Sequence, residues 1–195
     1  MKHLTTRIFN CFLFFMLLLQ VQMVQAQEKL KAANVNIIVS GTSTLHDWDM
    51  KSDKGSCDAV FVLNGTTVTA LNDLNFSIPS KSIKSEHTLM DNNTYKALNA
   101  EVYPDISFKF VSATVTAKDA TTCQIKCIGK LTIAGTMHET DITATGKVNA
   151  DKSITITGSK AFKMTDYKVK PPSVMMGTIK TGNDITITYN FKLVK

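Results

Sequence analysis

The chain has 195 residues, one Trp, four Cys and a formal net charge of +6, from 22 Lys and Arg against 16 Asp and Glu. Once Lys2 and Arg7 are set aside, the rest holds 20 lysines against the same 16 acids and no arginine. Arginine is the bidentate reader of guanine and phosphate, and these lysines stand singly between apolar residues, so no nucleic-acid partner is expected.

Met1–Ala26 reads as a cleaved signal peptide: Lys2 and Arg7, then the apolar run Phe9–Val21, then Val24-Gln25-Ala26. Its core is shorter than the roughly 20 apolar residues of a membrane-spanning helix, so stable membrane insertion is not expected. Cys11 lies within the apolar stretch and makes a poor lipidation point. The expectation is a periplasmic or secreted domain over residues 27–195, long enough for one sizeable core.

Period-two alternation dominates that domain. Leu74, Phe76 and Ile78 share one face, and Ile106, Phe108 and Phe110 share another. Between these runs, Ser85–Tyr103 carries Leu89, Met90, Tyr95, Leu98 and Val102 at helical spacing. This predicts a short helix stopped by Pro104, either a lid on one barrel end or a plain packing helix. Cys123, Ile125, Cys127, Gly129, Leu131 and Ile133 alternate with polar residues, with Ile128 out of step. Ile142, Ala144, Gly146 and Val148 follow, then Ile154 and Ile156, and finally Ile185, Ile187, Tyr189, Phe191 and Leu193.

Turn signals separate the runs at Asn64-Gly65, Ala134-Gly135-Thr136, Asn149-Ala150-Asp151 and Thr181-Gly182-Asn183-Asp184, so sequential neighbours should pair as hairpins. The fold expected is all-β: about eight antiparallel strands, each with one apolar face, closed into a barrel or stacked as a sandwich. The Phe162–Gly182 stretch, with Pro171-Pro172 and Met175-Met176, reads as a loop or bulged edge crossing. The two methionines either adapt to a partner or plug a barrel end.

Chemistry is sparse. No GxSxG, HExxH, Walker loop or GxGxxG occurs. His46, His87 and His138 come from distant segments; a metal-dependent enzyme would need His46 and His138 to converge on one open site. Cys123 and Cys127 on one straight strand would lie about 13 Å apart, so any intrachain disulfide must use Cys57, with three buried thiols as the alternative. Trp48, flanked by His46, Asp47 and Asp49, is either a mouth residue with a bonded indole N–H or a ligand contact. Gly129, Ala144, Gly146 and Gly158 on apolar faces favour a hollow interior over one filled by side chains.

Several segments in order carry a resemblance: Gly41-Thr42-Ser43-Thr44-Leu45-His46-Asp47-Trp48, Ile78-Pro79-Ser80-Lys81-Ser82-Ile83, the helix running into Tyr103-Pro104-Asp105-Ile106-Ser107-Phe108, Gly129-Lys130-Leu131-Thr132-Ile133-Ala134-Gly135, and Phe162-Lys163-Met164-Thr165-Asp166-Tyr167 with Pro171-Pro172. From about Val35 to Leu193 the chain resembles the YceI-like proteins. The resemblance implies a lipocalin-like barrel that binds polyisoprenoids or similar long amphiphiles in an apolar pore, without catalysis and without a cofactor beyond the bound lipid. Strand parity and the resemblance together nominate Phe76, Ile78, Met90, Leu98, Phe108, Phe110, Leu131, Ile133, Phe162 and Met164 as pore lining, with Trp48 a ligand contact and Met175 and Met176 at one end. The partner expected is a hydrophobic small molecule, with homodimerisation left open. An interaction module with a filled barrel is the alternative. The Ser-Thr-Leu-His-Asp-Trp opening and the PPSVMMG loop depart from better-known members at the mouth, where a head group would be read.

Overall fold

The computed structural model describes residues 26–195, so the leader expected over residues 1–26 lies, but for Ala26, outside the described residues. The chain forms β1 (Ala26–Ser43), β2 (Trp48–Ser52), β3 (Ser56–Asn64), β4 (Thr67–Pro79), α1 (Thr88–Ala97), β5 (Asp105–Ala117), β6 (Thr122–Ile133), β7 (Thr136–Val148), β8 (Ile154–Lys163), β9 (Ser173–Val174) and β10 (Ile179–Val194). Every pairing is antiparallel, and β10 returns to β1 along most of its length, closing an eight-strand barrel. On its other side β1 has two successive partners: β3 along Ala26–Lys31 and β2 along Ile37–Gly41. Thus β2 and β3 share one strand position.

The alternating runs fold as their pattern requires. In β6 the residues Cys123, Ile125, Cys127, Leu131 and Ile133 are buried, while Ile128 is exposed. Asn64-Gly65 and Ala134-Gly135 turn their hairpins with Gly65, Ala134 and Gly135 in the left-handed region. Thr181–Asp184 is different from the expectation: it lies within β10, where the β1 ladder shifts between Gly41 and Ser43. A Cβ at Gly182 would collide with the Thr42 side chain, so this glycine marks close approach at a bulge and not a turn.

The short helix forms within the expected stretch but ends before Pro104 is reached. Asn99 takes a left-handed conformation and accepts from both Val102 and Tyr103 N–H, so the chain leaves the helix five residues before Pro104. Leu89 and Val102 are exposed, and Leu98, the C-cap, is buried.

Two ladders stop short. The β4–β5 ladder spans only Asn75–Pro79 against Asp105–Lys109; farther on, Thr66 and Thr67 hydroxyls donate to the Ala120 carbonyl at 2.9 and 3.0 Å. The β7–β8 ladder spans only Ala144–Val148 against Ile154–Gly158, leaving a slot on the side of α1. Leu30, Leu63, Val68, Val148 and Ile154 belong to the buried cluster at the opposite end, which the β3–β4, β5–β6 and β7–β8 turns also close.

Candidate functional site: an apolar cavity under the helix

Inward residues from all around the barrel leave a cavity of about 430 Å³, opening at the end that carries α1, the β1–β2 loop and the segment between β8 and β10. This volume is within the range of ligand pockets, roughly 300–1,000 Å³. Ten of the nominated residues, Trp48, Phe76, Ile78, Met90, Leu98, Phe108, Leu131, Ile133, Phe162 and Met164, line it.

Three of the nominated residues do not. Phe110 has the inward parity, but the β5–β6 ladder slips at Val111, and Phe110 packs half-buried against the core outside the cavity lining. Met175 and Met176 stand at the open end, 70% and 109% exposed, because the backbone at the tip of the β9–β10 hairpin turns left-handed at both and carries their side chains outward.

Aromatic rings shape the interior. Phe76 and Phe191 lie 5.3 Å apart between centroids, and Tyr189 stacks on Phe191 at 5.9 Å. A Cβ at Gly129 would collide with the Phe108 ring, so the glycine leaves room for that ring. At the rim, Trp48 packs over Gly41, and its indole N–H donates to the Thr42 carbonyl at 2.9 Å. Tyr167 packs edge-on against both Phe162 of β8 and His138 of β7, beyond the end of their ladder.

The helix α1 lines the cavity and is held by side-chain bonds. The Tyr95 hydroxyl donates to the Lys81 carbonyl at 2.9 Å, and the Thr94 hydroxyl donates to Met50 Sδ at 3.2 Å. Asp91 accepts from both the N–H and hydroxyl of Ser85, fixing the chain's entry into α1.

The polar residues lining the cavity are few: Ser43, His46, His87, Asn93, Thr94 and Thr181, with Tyr167, Tyr189 and the stem of Lys160 in the wall. Among the described residues no carboxylate lines the cavity, and no group of three or more His, Cys, Asp or Glu is arranged to hold a metal ion. His46 Nδ1 lies 2.7 Å from the Asp47 carbonyl, while His138 sits exposed on β7 against Tyr167. Among the described residues Cys57, Cys123 and Cys127 are buried free thiols. Burial pushes Cys127 up to about 11 and, with the Asp58 charge adding to it, Cys57 up to about 12. Both line the cavity wall as small apolar groups with no thiolate character at neutral pH.

The model of the YceI-like domain matches residues 22–193. The chain belongs to the YceI-like family. This YceI-like domain is similar in structure to BcnA of Burkholderia cenocepacia, with a TM-score of 0.62, 15% identity and coverage of 82% of this chain and 96% of that one. It is similar to the YceI protein of Campylobacter jejuni at a TM-score of 0.53 and 21% identity, covering 73% and 85%. A polyisoprenoid-binding domain from Saccharophagus degradans, implicated in plant cell wall breakdown, matches at a TM-score of 0.57 and 10% identity, covering 87% and 98%. At these identities the likeness establishes the shared fold. No curated protein matches the sequence.

Lys160, Tyr167 and Tyr189 were not among the nominated residues, although the alternation puts Tyr189 on an apolar strand face. Lys160 follows Ile154, Ile156 and Gly158 at the same parity and precedes Phe162, so its inward position was readable from spacing alone.

Proposed function

We propose that this YceI-like domain is a non-enzymatic carrier, exported to the periplasm or beyond, which holds one long apolar or amphiphilic lipid of the polyisoprenoid or isoprenoid-quinone kind in its barrel. The observation that carries the reading is the cavity of about 430 Å³ with an almost wholly apolar wall and one polar rim. A barrel filled by its own side chains, as the interaction-module reading requires, would have no such space. The polyisoprenoid-binding domain among its structural neighbours supports the same ligand class.

The energetics need no catalytic group. Burying a tail of about twenty carbons gains about 16 kcal/mol at roughly 0.8 kcal/mol per CH₂. Association costs about 4–15 kcal/mol, a range that brackets micromolar binding, for which about 8 kcal/mol must remain. Native mass spectrometry of the protein purified from its own compartment, with organic extraction of what it releases, tests the reading. A long-chain lipid at one per barrel is expected. An empty protein that also refuses added prenyl alcohols and isoprenoid quinones would overturn it.

A further inference from the structure

Lys160 is the only lysine on the cavity wall among the described residues, and it stands where the alternation of β8 calls for an apolar side chain, between Gly158 and Phe162. Its row across the barrel is otherwise apolar: Lys160 pairs with Ile187, Ile187 with Val39, and Val39 with Met50. The next row toward the mouth is Phe162, Ile185, Gly41 and Trp48. Lys160 is therefore two residues, about 7 Å, inside the Trp48 row.

Its ammonium does not remain in the cavity. The β7–β8 ladder ends at Ala144–Gly158, and through the slot beyond it Lys160 Nζ reaches Asp141 Oδ1 at 2.9 Å. Asp141 is on the outward parity of β7 and its side chain is 75% exposed, against 27% for Lys160. An ion pair with so exposed a partner is weakly held. A lysine stem in a cavity that contains no carboxylate, with its head tethered outside by a weak pair, can swing inward to meet an anion, and its flexible four-carbon stem permits that movement.

We propose that Lys160 is the head-group receptor of the cavity, which selects long-chain lipids with an anionic head, a phosphate monoester or carboxylate, over neutral lipids with the same tail. The head group lies just beneath the Trp48 rim and the tail runs toward Phe76 and Phe191. Asp141 then acts as the competitor that holds the ammonium until an anion displaces it. This rests on the carrier reading and deepens it.

The test compares farnesyl monophosphate with farnesol by isothermal titration, so that tail and temperature are shared and only the head differs. The wild-type protein is expected to bind the phosphate at least about ten-fold more tightly, as a charge-assisted contact in a water-poor site would give. Lys160→Gln should bring the two affinities within about three-fold, Lys160→Arg should keep the preference, and Asp141→Asn should increase it by releasing the ammonium. A lysine that merely patches the slot would change the unfolding midpoint in these variants without moving the phosphate-to-alcohol ratio, and that result overturns the proposal. Tight farnesol binding without preference in the wild type likewise overturns it while leaving the carrier reading intact. Binding of neither probe to any variant overturns both.

Discussion

The Tyr189 hydroxyl donates to the Thr143 carbonyl at 2.9 Å, at the point where the β7–β8 ladder gives out. Gly158 makes this contact possible, since a Cβ there would collide with the Tyr189 hydroxyl and come within 2.7 Å of the Thr143 carbonyl. The tyrosine thus supplies a donor where β8 no longer does, and its ring remains in the cavity wall. Burial raises its pKa above the ordinary tyrosine range, with Cys127 adding to the shift. Tyr189→Phe should lose about 1 kcal/mol of stability. Gly158→Ala should lose more, about 1–3 kcal/mol, because the added methyl must displace both partners. Urea unfolding of the two variants checks the order; a Gly158→Ala protein as stable as wild type would contradict the packing described.

The buried thiols make stability depend on alkaline pH. Cys57 and Cys127 titrate near 12 and 11 in the folded protein, while thiols of the unfolded chain titrate near 9. Below about pH 9 both states keep these protons and no difference arises. Above it the unfolded chain ionises first and is favoured, so stability falls as pH rises toward the folded values. Cys57→Ala/Cys127→Ala should flatten the decline between pH 9 and 11 relative to wild type. Rapid reaction of the native protein with a thiol reagent at pH 8 would show that the thiols are not buried as described.

At acid pH one sensitive group is Asp151. Its carboxylate accepts from Lys192 Nζ at 2.8 Å and from the Ser153 hydroxyl and N–H, and these contacts, the Lys192 bond foremost, hold its pKa far below the usual carboxylate range. The folded state therefore keeps the charge when the unfolded chain takes up a proton. The contribution is complete above about pH 4 and is lost as pH falls below it. Asp151→Asn should show a shallower loss of thermal midpoint between pH 4 and pH 2 than wild type. Parallel curves for the two proteins would exclude this role for the β7–β8 turn.

Much of the architecture could be read from spacing alone, because a half-buried strand writes its parity directly into the order of residues. The runs at Cys123–Ile133 and Ile185–Leu193 fold as their alternation requires. Features created only by pairing were not readable. Thr181–Asp184 carries the composition of a turn, yet Gly182 is needed for its closeness to Thr42 across the ladder, a through-space requirement. Phe110 has the right parity but sits beside the slip at Val111, and parity carries no information about register. Met175-Met176 lies at the open end, where left-handed backbone at both residues turns the side chains to solvent, a direction that composition alone does not show. The slot that Lys160 passes through arises because β7 and β8 diverge, and neither strand's own sequence shows it.

Filling the cavity separates binding from folding. Ala144 is buried on β7, faces the cavity and pairs with Ile125 on β6 and Gly158 on β8, so a larger side chain there projects into the space the tail would occupy. Ala144→Phe removes cavity volume without leaving a buried polar group unpaired, so its cost in stability should not exceed about 1–3 kcal/mol. Trp48 is the only tryptophan in the chain and lines the cavity rim, so its emission reports directly on occupancy. On titration with farnesol, wild-type emission should shift and saturate, whereas Ala144→Phe should require at least ten-fold more ligand, since losing about two buried CH₂ groups at roughly 0.8 kcal/mol each already corresponds to that factor. An unchanged titration in a folded Ala144→Phe protein would place the lipid outside the barrel, at the exposed rim formed by Leu45, Leu89, Met175 and Met176.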